Sequence, residues 1–203
     1  GIWTAKKRYI LNVWDSEGVR YEEPKLKMMG IEAVKSSTPA PCRTMIKDAL
    51  KLMMRGTEDD VIEFIENARK EFKSLPPEEI AFPRTASNVQ KYKSSSDIYV
   101  KGTPIHIRGA LLFNYYLRKK KLTNKYSAIE NGEKIKFLYL KKPNTIQENV
   151  LSFIQDFPTE FGLSQYIDYE LQFEKSFVYP LKAILDAIGW EVEKKVTLES
   201  FFS

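Results

Sequence analysis

Three consecutive cations and an aromatic residue stand near the start of the chain, at Lys6, Lys7, Arg8 and Tyr9. They lead into an alternating apolar run that ends at Trp14, and this pattern predicts a β-strand. Because side chains alternate faces along a strand, Lys7 and Tyr9 share one face and their two neighbours share the other. Such a strand could bind phosphates while it stays anchored in a sheet. A solvated edge strand, on which lysines oppose aggregation, is the alternative interpretation.

Further polar clusters of the same kind follow along the chain. These clusters contain Lys25 and Lys27, then Lys35, Ser36 and Ser37, and later Lys91 and Tyr92. Lys25 and Lys27 are two positions apart in an extended segment, so they share one face. The run 118–121 contains four more cations at the end of a predicted helix. That run is either a solvated helix end, where cations suit the helix dipole, or another phosphate site.

The composition is that of an ordinary soluble chain with a moderate basic excess: 203 residues, 43% hydrophobic, 29% charged and a net charge of +5. The single cysteine, Cys42, and the single histidine, His106, exclude an internal disulfide, a cysteine-based zinc site and a multi-histidine metal centre. No apolar run approaches the roughly 20 residues that span a bilayer, so we expect no membrane partner. The start at Gly1, without methionine, leads us to expect a fragment of a longer protein.

The periodicity predicts a mixed α+β fold, with a small antiparallel β-hairpin region before a mostly helical part that carries a small β subdomain. The predicted elements are a hairpin ending near residue 29, a helical hairpin at 39–75, an irregular loop at 76–103 with a possible short strand at 80–82, a helix at 104–121, a β region at 133–155 and a helix at 167–188. Thr38 and Thr57 are expected to cap helices, Pro180 to kink the last helix, and Gly189 to end it.

Three acidic residues, Glu58, Asp59 and Asp60, follow Thr57 and suggest a metal site at first sight. The positive end of the predicted helix already accounts for them. We therefore predict no metal site. His106 is interpreted as a packing or hydrogen-bonding residue, because no nucleophile pattern accompanies it.

The order of these clusters resembles the C-terminal part of a family B DNA polymerase of the T-even-type bacteriophages. The resemblance rests on the segments KKRYILNVWD at 6–15, EPKLKMMG at 23–30, KSSTP at 35–39, HIRG at 106–109 and EKSF at 174–177, followed by Pro180 and Leu181. These clusters extend over nearly the whole chain. The resemblance implies the end of the palm at 1–34, a thumb domain at 35–190 and a flexible tail at 191–203.

The resemblance implies that the thumb and the end of the palm hold duplex primer-template DNA, as they do in that family. The contacts carry over to Lys6, Lys7, Arg8 and Tyr9, to Lys35, Ser36 and Ser37, and to Lys91 and Tyr92. Phosphates and the degenerate minor groove allow a protein to hold any sequence, as a polymerase must. The resemblance also implies the cytoplasm of an infected bacterial host as the location.

The catalytic part of such a polymerase is missing from this sequence. Phosphoryl transfer by two Mg²⁺ ions needs carboxylates held together, and the family places them in an Asp-Thr-Asp motif that the chain lacks. We therefore expect no catalytic residue and no cofactor in this chain, although the parent polymerase would use Mg²⁺.

The tail resembles a sliding-clamp-binding motif, with Leu198, Phe201 and Phe202 as the residues that would fill the pocket of the clamp. Lys195 replaces the usual glutamine of that motif. An apolar terminus that packs on its own domain is the alternative. The resulting interpretation is a segment that grips duplex DNA and tethers a replicative polymerase to its clamp. The alternative is a standalone, non-enzymatic protein that binds nucleic acid and a ring-shaped partner.

Overall fold

The computed structural model describes residues 1–5, 8–16, 18–29, 31, 33 and 35–193. Within these residues, helices occur together with small antiparallel sheets, which confirms the predicted α+β class. The chain divides into two compact units. Unit 1 comprises Gly1–Lys35, Pro41–Ser74 and the described residues from Phe173 onward, and unit 2 comprises Ser36–Ala40 and Leu75–Gln172. The palm, thumb and tail boundaries at 34 and 190 stay a prediction.

The sheet of unit 1 is antiparallel, in the order β1 (Ile2–Ala5), β2 (Arg8–Ser16) and β3 (Val19–Met29). The predicted first strand and its hairpin partner correspond to β2 and β3. Strand β3 runs through Pro24, a residue that usually interrupts a strand. The register slips between Val13 and Asp15, and the part of β3 that faces this slip contains Pro24. Because proline has no N–H for the ladder, such an irregular stretch can accommodate it.

The predicted helical hairpin consists of α1 (Ala40–Met53) and α2 (Glu58–Ser74). The apolar residues at helical spacing are buried, namely Met45, Ile46, Ala49, Leu50 and Met53 on α1 and Val61, Ile65, Ala68 and Phe72 on α2. Helix α1 begins at Ala40, so the predicted cap Thr38 lies two residues before it and is itself buried. Pro41 is tolerated in the first turn because its missing N–H would have no partner within the helix.

Thr57 caps α2 as predicted. The backbone N–H of Asp60 donates to Thr57 Oγ1 at 3.3 Å, and the N–H of Thr57 donates to Asp60 Oδ2 at 2.8 Å. This reciprocal pair is a capping box with aspartate in the glutamate position. The bond from the Thr57 N–H holds the pKa of the Asp60 carboxyl below its usual value.

The last helical segment consists of α5 (Tyr169–Phe173), a π-helical turn (Glu174–Val178) and α6 (Tyr179–Asp186). A kink was predicted at Pro180. The structure has a π-helical turn that ends at Val178, two residues before this proline. In a regular helix the proline ring would meet the carbonyl of Ser176, and a wider turn relieves this conflict. Gly189, with φ of +74°, ends the segment as predicted, and the Trp190 N–H bonds the Leu185 carbonyl at 3.0 Å. None of the helices that the structure describes is long and apolar enough to cross a membrane.

Cys42, the one cysteine of the sequence, is fully buried in α1, and its thiol donates to Ser176 Oγ at 3.3 Å. Burial raises the pKa of this thiol to about 11. Because the thiolate is the reactive form, we expect a water-soluble thiol reagent at pH 8 to label the protein only as it unfolds. Labelling followed along a urea titration should coincide with the unfolding transition measured by circular dichroism. Rapid, complete labelling without urea would contradict this burial.

The sheet of unit 2 is antiparallel, in the order β4 (Phe82–Thr85), β5 (Lys134–Tyr139) and β6 (Val150–Phe153). Strands β5 and β6 confirm the predicted β region. The prediction of an irregular loop with a strand at 80–82 was wrong in detail, because α3 (Pro77–Ile80) precedes β4. Pairing with β5 places Phe82 on Phe137, with ring centroids 5.1 Å apart. Because Phe137 is distant in the sequence, the residues next to Phe82 do not by themselves show the pattern that would predict β4.

Helix α4 (Ile105–Lys119) lies within the predicted range 104–121 and packs on β6. The Ser152 hydroxyl of β6 donates to the carbonyl of His106 in the first turn of α4, at 2.8 Å. Further along the helix, the buried Asn114 bonds both backbone groups of Ile129, accepting from its N–H at 2.7 Å and donating to its carbonyl at 2.9 Å. These bonds hold α4 against the sheet and a long loop against α4.

Candidate nucleic-acid interface

The outward face of the unit 1 sheet carries part of the predicted phosphate-binding set. Ile10 points into the core and is fully buried, so its neighbour Tyr9 lies on the opposite face. The ring of Tyr9 packs against that of Trp3, with centroids 5.1 Å apart, and Trp3 is 67% exposed. Lys27, opposite Leu11 in the register, is exposed on this same face. The sheet therefore presents an aromatic pair beside a cation.

Several predicted residues can be placed only in part. Lys6 and Lys7 lie outside the described residues. Arg8 is the first residue of β2, and Lys25 pairs with Val13 along β3. Lys35 is half-buried at the end of the first segment of unit 1.

Ser36 and Ser37 belong to unit 2, where an arginine bonds the backbone of Ser37. Arg84 Nη1 donates to the carbonyl of Ser37 at 2.8 Å and to that of Pro83 at 2.7 Å. Its guanidinium lies over the rings of Phe82 and Phe137, 5.6 and 5.3 Å from their centroids. Both serine side chains are exposed, and neither hydroxyl has a hydrogen-bond partner in the part of the chain that the structure describes. The backbone is thus fixed while the hydroxyls remain available.

The surroundings of Arg84 also determine the state of His106. Burial lowers the pKa of His106, and the charge of Arg84 lowers it further. Burial also lowers the pKa of Arg84. Because the usual pKa of arginine is very high, the guanidinium nevertheless stays charged at neutral pH. His106 is therefore neutral at pH 7, in agreement with its interpretation as a packing residue.

Lys91 and Tyr92 lie in a 3-10 helix, Val89–Tyr92, of unit 2. Val89 anchors this turn in the core, and the preceding Asn88 adopts a left-handed conformation with φ of 58°. Lys91 is exposed, and its Nζ lies 5.6 Å from the centroid of the Tyr92 ring. Unit 2 therefore displays two polar groups, the serine pair and the Lys91–Tyr92 pair.

No family model matches the chain. The chain is 36% identical over 207 residues to the DNA-directed DNA polymerase of Escherichia phage RB69, and 32% identical over 206 residues to that of Enterobacteria phage T4. Both alignments cover the whole chain and 22% of each relative. The chain is homologous to a segment of the phage family B DNA polymerases. This finding confirms the resemblance inferred from the residue clusters.

Among the described residues, no group of three or more His, Cys, Asp or Glu side chains is placed to hold a metal ion. The cluster of Glu58, Asp59 and Asp60 lies in the first turn of α2, where Asp60 bonds to Thr57. Glu58 Oε1 accepts from the backbone N–H of Glu191 at 2.8 Å. These carboxylates therefore serve the end of the helix and the chain that returns to it.

The predicted clamp-binding residues Leu198, Phe201 and Phe202 lie outside the described residues. The bond to Glu58 shows where the described part of the segment ends, beside the start of α2. Sequence reasoning missed Arg84, which lies near the predicted contacts. A lone arginine between apolar residues on a short strand is a weak signal, and its partner, the Ser37 carbonyl, is 47 positions away.

Proposed function

We propose that this chain holds the primer-template duplex for a phage replicative DNA polymerase, through contacts that do not depend on sequence. Homology along the entire chain to two DNA-directed DNA polymerases is the observation that carries the proposal. Because the chain spans about a fifth of those relatives, the polymerase activity and its Mg²⁺ ions belong to the proposed parent protein.

The exposed groups suit a phosphate backbone. Ser36 and Ser37 offer hydroxyl donors on a fixed backbone, and Lys91 offers an exposed ammonium. Hydroxyls and cations are the groups that proteins most often direct at phosphate oxygens, and such contacts carry no sequence information. The predicted contacts at Lys6, Lys7, Arg8, Tyr9, Lys25, Lys27, Lys35 and Tyr92 belong to this proposal as well.

The test is the salt dependence of duplex binding, measured by fluorescence anisotropy with two unrelated sequences. Lys91→Ala should weaken both equally and lower the slope of log affinity against log salt by about one unit. Lys182→Ala is the matched control, because it removes one charge from an exposed lysine that pairs with Asp186 at 3.0 Å. If the two variants weaken duplex binding equally, the loss follows from the net charge of the protein, and the proposed role of Lys91 is overturned. The same protein with Mg²⁺ and nucleotides should not extend the primer.

Arg84→Met tests whether the arginine acts by positioning the serines. We expect weaker duplex binding with an unchanged salt slope, because the guanidinium bonds carbonyls rather than phosphate. Its effect should also be less than additive with Ser36→Ala and Ser37→Ala, but additive with Lys91→Ala. Arg84→Lys should not restore binding, since the compact ammonium of lysine cannot stack on the rings of Phe82 and Phe137 as the planar guanidinium does. A slope lowered by one unit would show instead that Arg84 contacts a phosphate.

The proposal includes a tether to a sliding clamp through Leu198, Phe201 and Phe202. Burying three such side chains is worth roughly 4–9 kcal/mol, and ordering a free segment costs about 2–5 kcal/mol of that. An isolated tail should therefore bind no more tightly than about micromolar. The double variant Phe201→Ala, Phe202→Ala should abolish clamp binding in a sedimentation assay while Tm stays within about 2 °C. A large fall in Tm would assign these aromatics to the core of the chain.

A further inference from the structure

We propose that a cleft in unit 2, beside the Lys91–Tyr92 pair, binds single-stranded nucleic acid by accepting one nucleotide of the strand. The cleft has a volume of about 490 Å³ and lies between the loop 93–98 and helix α4. It goes beyond the proposed duplex contacts, and it rests on the proposed function only for the class of ligand.

The cleft is preformed. Its loop is closed by the antiparallel bridge between Lys93 and Tyr99 and by the bond from the Val100 N–H to the Tyr92 carbonyl at 3.0 Å. Within the loop, Ser94 Oγ accepts from the backbone N–H groups of residues 96 and 97, at 3.3 and 3.1 Å. On the other side, Leu111 and Asn114 are buried in α4, and Asn114 is fixed by its two bonds to Ile129. A ligand would therefore meet an ordered surface.

Cations from two distant parts of the sequence meet at this cleft. Lys93 lines it from the loop and Arg118 lines it from α4, where Arg118 begins the run 118–121. All of these side chains are exposed, as is Lys91, and none forms a salt bridge among the residues that the structure describes. The carboxylate at the cleft is that of Asp97, which accepts from the Ser96 hydroxyl at 3.2 Å. Gathered, unpaired cations repel one another, and a polyanion relieves that repulsion.

Tyrosines are interleaved with these cations. Tyr115 lines the cleft, is 37% exposed, and packs edge-on against Tyr116 with centroids 5.0 Å apart. Lys119 Nζ lies 5.7 Å from both ring centroids. A basic groove with exposed aromatic rings is the arrangement on which successive unpaired bases stack. The proposal uses Arg118, the first cation of the run 118–121, as a phosphate contact.

The size of the cleft selects a single strand over a duplex. Its volume falls within the range of pockets that enclose one small molecule. One nucleotide can enter such a space with its base against Tyr115 and its phosphate near Lys93 and Arg118. A duplex keeps its bases stacked and paired, so it could only cross the mouth with its backbone.

The experiment compares binding of the 203-residue chain to a fluorescent 12-nucleotide oligo-dT and to a blunt 12-base-pair duplex. Tyr115→Ala should weaken single-strand binding roughly 5- to 150-fold, the range for loss of one stacked base, and change duplex binding less than twofold. Tyr115→Phe, which keeps the ring, should bind like the wild type. Arg118→Ala should lower the salt slope for the single strand by about 0.7. Tyr179→Ala is the matched control, since Tyr179 is 53% exposed on α6 in unit 1.

Unchanged single-strand binding by Tyr115→Ala, or equal losses for both ligands, would overturn the proposal. These results are separate from those that test the proposed function, which depend on Lys91 and the duplex. A protein that fails to bind duplex but binds oligo-dT through Tyr115 would leave this inference standing and refute the proposed function. Tm measured for every variant excludes unfolding as the cause of a loss.

Discussion

Gly109→Ala should destabilise the protein by about 1–3 kcal/mol, although alanine replaces glycine inside a helix. On an open helix face the same change would stabilise by roughly 0.5–1 kcal/mol. Gly109 lies where α4 touches β6, and an added Cβ would collide with Ser152 Oγ and stand 2.7 Å from the Ser152 backbone nitrogen. That nitrogen belongs to a strand paired with β5, so it cannot move aside cheaply.

Thermal unfolding followed by circular dichroism measures this effect. For a chain of 203 residues, each kcal/mol shifts Tm by about 2–4 °C, so a fall of between about 2 and 12 °C is expected. Lys119→Ala, an exposed change on the same helix, should leave Tm within about 2 °C. A rise in Tm for Gly109→Ala would show that the helix and the strand are less closely packed than the structure has them.

Gln172→Met should cost about 2–6 kcal/mol, because it leaves two backbone groups without a partner at about 1–3 kcal/mol each. Gln172 is fully buried in α5. Its Oε1 accepts from the N–H of Tyr139 on β5 at 3.0 Å, and its Nε2 donates to the carbonyl of Ile80 in α3 at 2.9 Å. Methionine has a similar shape but can form neither bond, so the loss isolates hydrogen bonding from packing.

Urea denaturation gives the free energy of unfolding for this comparison. Gln165→Met is the matched control, since it makes the same chemical change at an exposed position and should cost less than about 0.5 kcal/mol. A cost for Gln172→Met as small as that of the control would mean that water replaces both bonds. In that case Gln172 would not tie the sheet of unit 2 to α3 and α5.

Elements with a strong local pattern could be predicted from the sequence. Helices α1 and α2 combine apolar stripes of regular spacing with the cap at Thr57, and both lie where they were predicted. The β region predicted at 133–155 likewise contains β5. Where the structure differs, a constraint from elsewhere overrides the local pattern. A π-turn that the pattern did not predict precedes Pro180, and the strand predicted at 80–82 begins instead at Phe82, where pairing with β5 starts.

The residues of the candidate site also fall into those that a local pattern predicts and those that distant contacts decide. Exposed lysines and serines could be selected from residue type and spacing, because these properties are local. The order of the clusters was enough to indicate the polymerase relatives, and the alignments over the whole chain confirmed it. Arg84 was not found, since its role depends on a carbonyl at Ser37 that has no sequence signature.

The sequence by itself determined the α+β class, the main helices, the central strands and the resemblance to phage DNA polymerases, because amphipathic spacing, capping residues and short motifs are properties of neighbouring positions. Only the tertiary structure decided three things. It placed the backbone of Ser37 within hydrogen-bond distance of Arg84 in unit 2. It formed the hydrogen bond between Gln172 and Ile80, which are 92 positions apart. It also brought Lys93 and Arg118 to one cleft. Each depends on contacts between residues far apart in the chain, and those are selected by the packing of the whole unit rather than by any local pattern.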